Sequence, residues 1–155
     1  MGRDTMGVRG MNVEEDERVV GMEIARPDTC LLVVTDRGYG KQTAITEYPE
    51  HHRGGKGVYT IKMTKQKGDL AAMKIVEKDD QVMVITESGV MVRTPVKGIS
   101  KLGRATQGVR IMEVEKKDRV TAVAIVGDTS TRAARELQDD AQDTGDDSQP
   151  TLPTE

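Results

Sequence analysis

The sequence predicts an all-β fold of the β-propeller type, and three observations carry that prediction. One is an internal repeat of about fifty residues. Aligning on a Gly-Val pair brings together "GRDTMGVRGMNV" at 2–13, "HRGGKGVYTIKM" at 52–63 and "GRATQGVRIMEV" at 103–114, with Gly7, Gly57 and Gly108 spaced 50 and 51 residues apart. Another is a pair of matched hairpin signatures, "LLVVTDRGYGKQT" at 31–43 and "VMVITESGVMVRT" at 82–94, held at a constant offset of 51 residues. The last is the absence of helical periodicity before residue 130, in a chain whose apolar residues are almost all Val, Ile, Leu, Met and Ala. The β-branched members of that set suit strands better than helices.

Each unit reads in the same order. A first strand follows the Gly-Val pair. A second follows a polar turn, in "DERVVGMEIA" from Asp16, "GDLAAMKIV" from Gly68 and "KDRVTAVAIV" from Lys117. The third and fourth form a hairpin through "TDRGY" or "TESGV", where Gly38 and Gly89 occupy the position that needs a positive φ. Four short strands recurring at about 40 to 50 residues are the spacing of a propeller blade. Residues 1–50 make the first blade repeat, 51–101 the second, and 102–128 a third that stops after two strands. The expectation is two and a half to three four-stranded blades. Such an array buries its apolar faces only against neighbours, so the chain is expected to be the end of a longer protein, with Met1 internal to the parent.

Charge divides the chain differently. Residues 1–128 hold 21 Lys and Arg against 19 Asp and Glu, whereas residues 129–155 hold 2 against 7. The acidic, apolar-poor segment 129–155 is expected to be a disordered tail, with one helical turn near Ala133 to Leu137. Random-coil scaling gives it a reach of roughly 30 Å, which suits either a solubilising extension or a competitor for cations on the folded part.

Several chemistries are excluded or demoted. The single Cys30 cannot form an intramolecular disulfide, and its apolar run "CLLVVT" argues for an inert buried thiol. No run approaches the roughly 18 apolar residues of a membrane span, and no signal peptide opens the chain, so a cytoplasmic protein is expected. Lys56 is followed by Gly57 and not by Ser or Thr, and "GYG" at 38–40 lacks a third glycine, so neither is a nucleotide-binding loop. His51 and His52 are adjacent, with no Cys or acidic residue at zinc spacing. The methionines and the three tyrosines, Tyr39, Tyr48 and Tyr59, are expected to pack. No catalytic residue and no metal site is assigned.

The combination "MGRDTMGVRGM", "TDRGYGKQTAITEYPEHHRGGKGV" and "LGRATQGVRIM" closely resembles the C-terminal domain family of bacterial DNA gyrase A subunits, in register over about residues 1 to 128. The resemblance implies a six-bladed β-pinwheel, a propeller variant with exchanged hairpin strands, whose basic rim wraps double-stranded DNA. It implies, as partners, the rest of the gyrase A chain together with the gyrase B chain, in a heterotetramer of two of each. The fragment itself needs no cofactor; ATP and Mg belong to the assembled enzyme, a topoisomerase that introduces negative supercoils in the bacterial cytoplasm. Residues 51–57 resemble the family's gyrase box. Arg53, Gly54, Gly55, Lys56 and Gly57 match it, while His51 stands where Gln is expected and His52 where a Lys or Arg is usual, so the loop reads as a degenerate second copy.

The chemistry of that loop is legible residue by residue. Gly54, Gly55 and Gly57 leave backbone N–H groups open to phosphate oxygens, and Arg53 and Lys56 supply charge that replaces condensed counterions. Such contacts hold a duplex without reading its sequence. The other units carry Arg3 and Arg9, and Arg104 and Arg110, at equivalent places, and Lys41 and Arg93, matched to within one residue across the hairpins, extend the expected track. The nearest alternative is the equivalent domain of the topoisomerase IV A chain, against which the Arg-Gly-Gly-Lys-Gly loop argues. The alternative from another class is a propeller-type protein-interaction scaffold.

Overall fold

The computed structural model describes residues 2–127; both expectations for the tail lie outside the described residues. Seven strands form among them: β1 (Cys30–Thr35), β2 (Tyr39–Ala44), β3 (Leu70–Val76), β4 (Gln81–Thr86), β5 (Met91–Pro95), β6 (Val109–Arg110) and β7 (Val120–Val126). Single 3-10 turns follow the two hairpins, at Ile45–Glu47 and Val96–Gly98. No helix among the described residues is long and apolar enough to cross a membrane.

Both hairpins close where the glycines predict. Gly38 has φ 79° and Gly89 φ 89°, and their N–H groups donate back to Thr35 and Thr86 at 3.0 and 3.1 Å. A side chain would be strained in that left-handed conformation, so the turn selects glycine.

The sheets cut across the sequence repeats. The first sheet runs β3-β1-β2-β6 and the second β5-β4-β7, with every pairing antiparallel. Each hairpin therefore takes a strand from the following unit: β3 joins β1 with a register shift at Val34/Thr35, and β7 joins β4 with the same shift at Ile85/Thr86. The first hairpin gains a fourth strand, β6, from the unit after that.

The expectation of four strands per unit is corrected by this exchange. Residues 2–29, including the run "VVGMEIA", form no strand, and neither does the stretch after Gly57-Val58. A strand needs a neighbour for its N–H and C=O groups, and the described residues supply no hairpin upstream of β1. The first unit instead leans on β3 from outside: Glu23 pairs with Lys74 at 2.6 Å. Val19 and Ile24 stay exposed, and Met22 is 91% exposed. Most methionines are accordingly not core residues. Met6, Met11, Met22, Met63 and Met91 are exposed, Met73 and Met83 are half-buried, and Met112 is buried.

The main core lies between the two sheets, where Leu32, Val34 and Val76 of the first meet Val82, Val84, Val120 and Val123 of the second, closed by Val96, Ile99 and Met112. A smaller cluster covers the other face of the first sheet: Leu31, Val33 and Ile75 pack against Ile61 of the chain that follows the basic loop. Strand β1 is thus covered on both faces, which explains its unbroken apolar run. Cys30, at its start, is half-buried.

Candidate nucleic-acid interface

The three Gly-Val loops, scattered through the sequence, lie side by side. Gly54 donates its N–H to Gly10 O at 2.9 Å and Asn12 donates to Gly55 O at 3.1 Å, so the first and second loops pair through their backbones. Lys62 donates to Thr106 O at 2.9 Å, joining the second to the third. A cleft lined by Glu47, Gly57, Val58, Tyr59 and the segment Gly103–Thr106 runs along the second junction. Arg3, Arg9, Arg53, Lys56 and Arg110 are exposed and Arg104 is half-exposed. These backbone bonds bring into contact loops whose cations recur about once per fifty residues of sequence.

The glycines of the central loop have a more divided role than the sequence suggests. The N–H of Gly54 is taken up by Gly10 and is not open to a phosphate. A Cβ on Gly54 would meet only Arg9 O at 3.9 Å, so its φ of 77° is what demands glycine there.

In the third loop, neighbouring side chains hold two arginines in place. The Arg110 guanidinium lies over the Tyr39 ring at 5.4 Å and donates to the Tyr39 hydroxyl at 2.9 Å. That hydrogen bond raises the pKa of Arg110 further above its ordinary value. Arg104 lies over Tyr48 at 5.9 Å, and its backbone N–H donates to Glu47 at 3.3 Å. Tyr48 itself contacts Thr60 through its hydroxyl. Two of the three tyrosines therefore support cations. The expected packing role fails for Tyr59, which is 87% exposed on the central loop.

Lys41 requires a correction. It is 0% exposed, and its ammonium donates to Gly103 O, to Arg104 O at 2.7 Å and to Thr106 Oγ1 at 3.0 Å. Burial pushes its pKa down, partly offset by the Glu47 carboxylate. A cation so enclosed cannot meet a phosphate. Arg93 is exposed, with its Nε donating to Gln81 Oε1 at 2.6 Å. The offset of one residue between the two is decisive, because adjacent residues of a strand face opposite sides. Lys41 pairs with Val33, whereas Arg93 pairs with Met83. At the constant repeat offset Arg93 corresponds to Gln42, whose amide donates to Val96 O and Ile99 O of the next unit.

One further cation joins the loops without having stood out in the sequence. Lys67 lies over the Tyr39 ring at 4.9 Å and donates to Gly108 O at 3.1 Å. The run "KMTKQKGD" from Lys62 carries three lysines and is the signal that points to it.

Strand-exchanged hairpins, a shared register shift and adjoining Gly-Val loops define the class: a propeller-type repeat protein. The chain belongs to the family described as DNA gyrase C-terminal domain, beta-propeller, whose model matches residues 1–26, 31–77 and 80–127. It is similar to the DNA gyrase A chain of Dehalogenimonas lykanthroporepellens, 47% identical over 128 residues that cover 79% of this chain and 16% of the relative. The DNA gyrase A chain of Mycolicibacterium smegmatis is 41% identical over 141 residues, covering 91% and 17%. The chain thus spans about one sixth of the length of these curated relatives. Among solved structures, a DNA gyrase A C-terminal domain superposes with TM-score 0.71 at 24% identity, over 78% of this chain and 41% of that one. The C-terminal domain of a DNA topoisomerase IV superposes with TM-score 0.73 at 25% identity, over 86% and 43%.

Proposed function

We propose that this chain is a DNA-binding and DNA-wrapping module of a DNA gyrase A chain. It acts on duplex DNA by phosphate contact and serves ATP-dependent negative supercoiling by an assembled bacterial, cytoplasmic enzyme. Its partners there are the remainder of the gyrase A chain together with the gyrase B chain, in a heterotetramer of two of each. The nucleotide and magnesium chemistry belongs to those other parts. The observation that carries the reading is the contiguity of the three loops bearing Arg3, Arg9, Arg53, Lys56, Arg104 and Arg110. Cations on a curved flank attract phosphates at successive positions, and their combined gain offsets the bending of a 20 to 30 base-pair stretch, which costs on the order of 1 to 6 kcal/mol.

A topoisomerase IV A chain is the second reading, favoured by the structural likeness to a topoisomerase IV C-terminal domain. The gyrase A names of the curated relatives and the Arg53-to-Gly57 loop support the gyrase reading over it.

Titrating a short duplex with the chain as salt is raised tests binding. Each phosphate contact contributes about -0.9 to the slope of log affinity on log salt, so six engaged cations predict a slope of about -5. A slope near zero would overturn the reading. Ligating nicked circles in the presence of the chain tests wrapping, with a shifted topoisomer distribution expected and an unshifted one counting against it.

A further inference from the structure

We propose that Lys41 is the positioning residue of the third basic loop: a buried ammonium that fixes Arg104 where a duplex would meet it, while touching no phosphate itself. The inference rests on the DNA-binding reading above.

Three features of the packing support it. First, the loop is pressed close onto β2. Gly108 lies so near that a Cβ there would sit 2.8 Å from Gly40 O, and a Cβ on Gly40 would sit 2.5 Å from Ile111 Cδ1. This approach removes water from Lys41, whose ammonium then needs acceptors from the loop. Second, all three acceptors lie within Gly103–Thr106, on both sides of Arg104, and one is the carbonyl of Arg104 itself. Thr43, on the same face of β2, adds a bond to Leu102 O at 2.8 Å. Third, the sequence repeat contains its own control. Lys41 corresponds to Val92 in the second hairpin, on a strand that no loop of the described residues pairs with on its outer edge. The lysine is present where a basic loop must be held, and a valine where none is.

The loop's own backbone bonds are few. Between Gly103 and Gly108, Lys62 donates to Thr106 O and Thr106 donates to Gly103 O at 3.4 Å; the remaining bonds lie at the flanks, where Leu102 donates to Gln42 O, β6 pairs with β2 over two residues, and Ile111 and Met112 donate to Gly38 O. Without the ammonium, Arg104 O and Thr106 Oγ1 lose the Lys41 donor, Gly103 O keeps only its bonds from Thr106, and the segment around Arg104 is held mainly at its ends, where Leu102 and β6 bond to β2.

The experiment uses the full 155-residue chain and a short duplex of arbitrary sequence. Lys41→Met keeps most of the length of the side chain and removes its donors. Two expected results are faster amide exchange of Leu102 and Lys62, whose N–H groups bond Gln42 O and Thr106 O, and a salt slope shallower by about 0.9, the share of Arg104. A lysine that merely stabilised the fold would leave the slope of the folded fraction unchanged, so an unchanged slope overturns the proposal even if exchange quickens. Thr106→Val guards against a Lys41 variant that does not fold. It deletes one acceptor of the ammonium together with the hydroxyl's own bond to Gly103 O at 2.9 Å, and a shallower slope is expected there too; an unchanged one again counts against the proposal. Should the unmodified chain show no salt-dependent binding, the DNA reading fails at that point, while the exchange data still report whether Lys41 holds the loop.

Discussion

The two hairpins share a sequence pattern and differ in what lies against them. In the first, Leu31 to Thr35 are all buried, because sheet neighbours, the second sheet and the chain around Ile61 enclose both faces. In the second, β4 alternates between buried and half-buried and β5 between exposed and half-buried. The edge that β6 occupies on β2 is open on β5 among the described residues. Gly40, crowded on two sides, corresponds to Met91, which is 57% exposed. Lys41, enclosed, corresponds to Val92. The repeat specifies the hairpin; the neighbours decide which of its residues carry energy.

Three substitution pairs test that asymmetry, the largest effect first. Leu32 is fully buried and corresponds to the half-buried Met83. Leu32→Ala is expected to cost about 2 to 5 kcal/mol in urea unfolding, and Met83→Ala about half as much. Equal costs would show that the second hairpin is as well enclosed as the first. Next comes overpacking: Gly40→Met should cost about 1 to 3 kcal/mol, since its Cβ would fall 2.4 Å from Val33 O. The reverse exchange, Met91→Gly, should cost about 1 kcal/mol or less, from chain entropy alone. Third is the salt slope of duplex binding. Arg104→Gln is expected to flatten it by about 0.9. Arg93→Gln should leave it nearly unchanged, because Arg93 occupies the register of Gln42, a residue turned toward the next sheet. An equal effect at Arg93 would extend the track across the second hairpin.

What is legible in the sequence follows the same division. The hairpins are legible because their determinants are local: apolar runs flanking Gly38 and Gly89, whose backbone angles a turn requires. The repeat makes the fold class legible. The exchange of strands is implied only by the family likeness, since no local property says that β3 pairs with β1 and not with its own hairpin. The missing strands in residues 2–29 are illegible for the same reason, because a strand is a property of a pair. At the interface, Arg53, Arg104 and Arg110 are legible from their spacing. Lys41 is not, because a cation in a strand reads as a surface residue until a second segment is known to cover it. A slip of one residue in matching it to Arg93 conceals the difference in face.

The smallest expected effect concerns the hairpin tips. In the first, Asp36 accepts the Asp69 N–H at 3.0 Å. In the second, the acceptor comes from the other strand: Asp118 takes the Ser88 hydroxyl at 2.6 Å, the Ser88 N–H at 3.1 Å and the Arg119 N–H at 2.8 Å. The Ser88 hydroxyl first, then Thr86 and the backbone donors, hold the Asp118 carboxyl well below the usual carboxylate range. A carboxylate whose folded pKa is depressed contributes stability that is full above its unfolded value, near 3.9 for aspartate, and fades as pH falls through the folded one. Asp118→Asn should therefore lower the unfolding midpoint slightly at pH 7, and the gap to the unmodified chain should narrow below about pH 4. The site is exposed, so the shift is expected to be small. A gap that stays constant with pH would mean that the tip is held by shape and not by charge, and would remove this last distinction between the two hairpins.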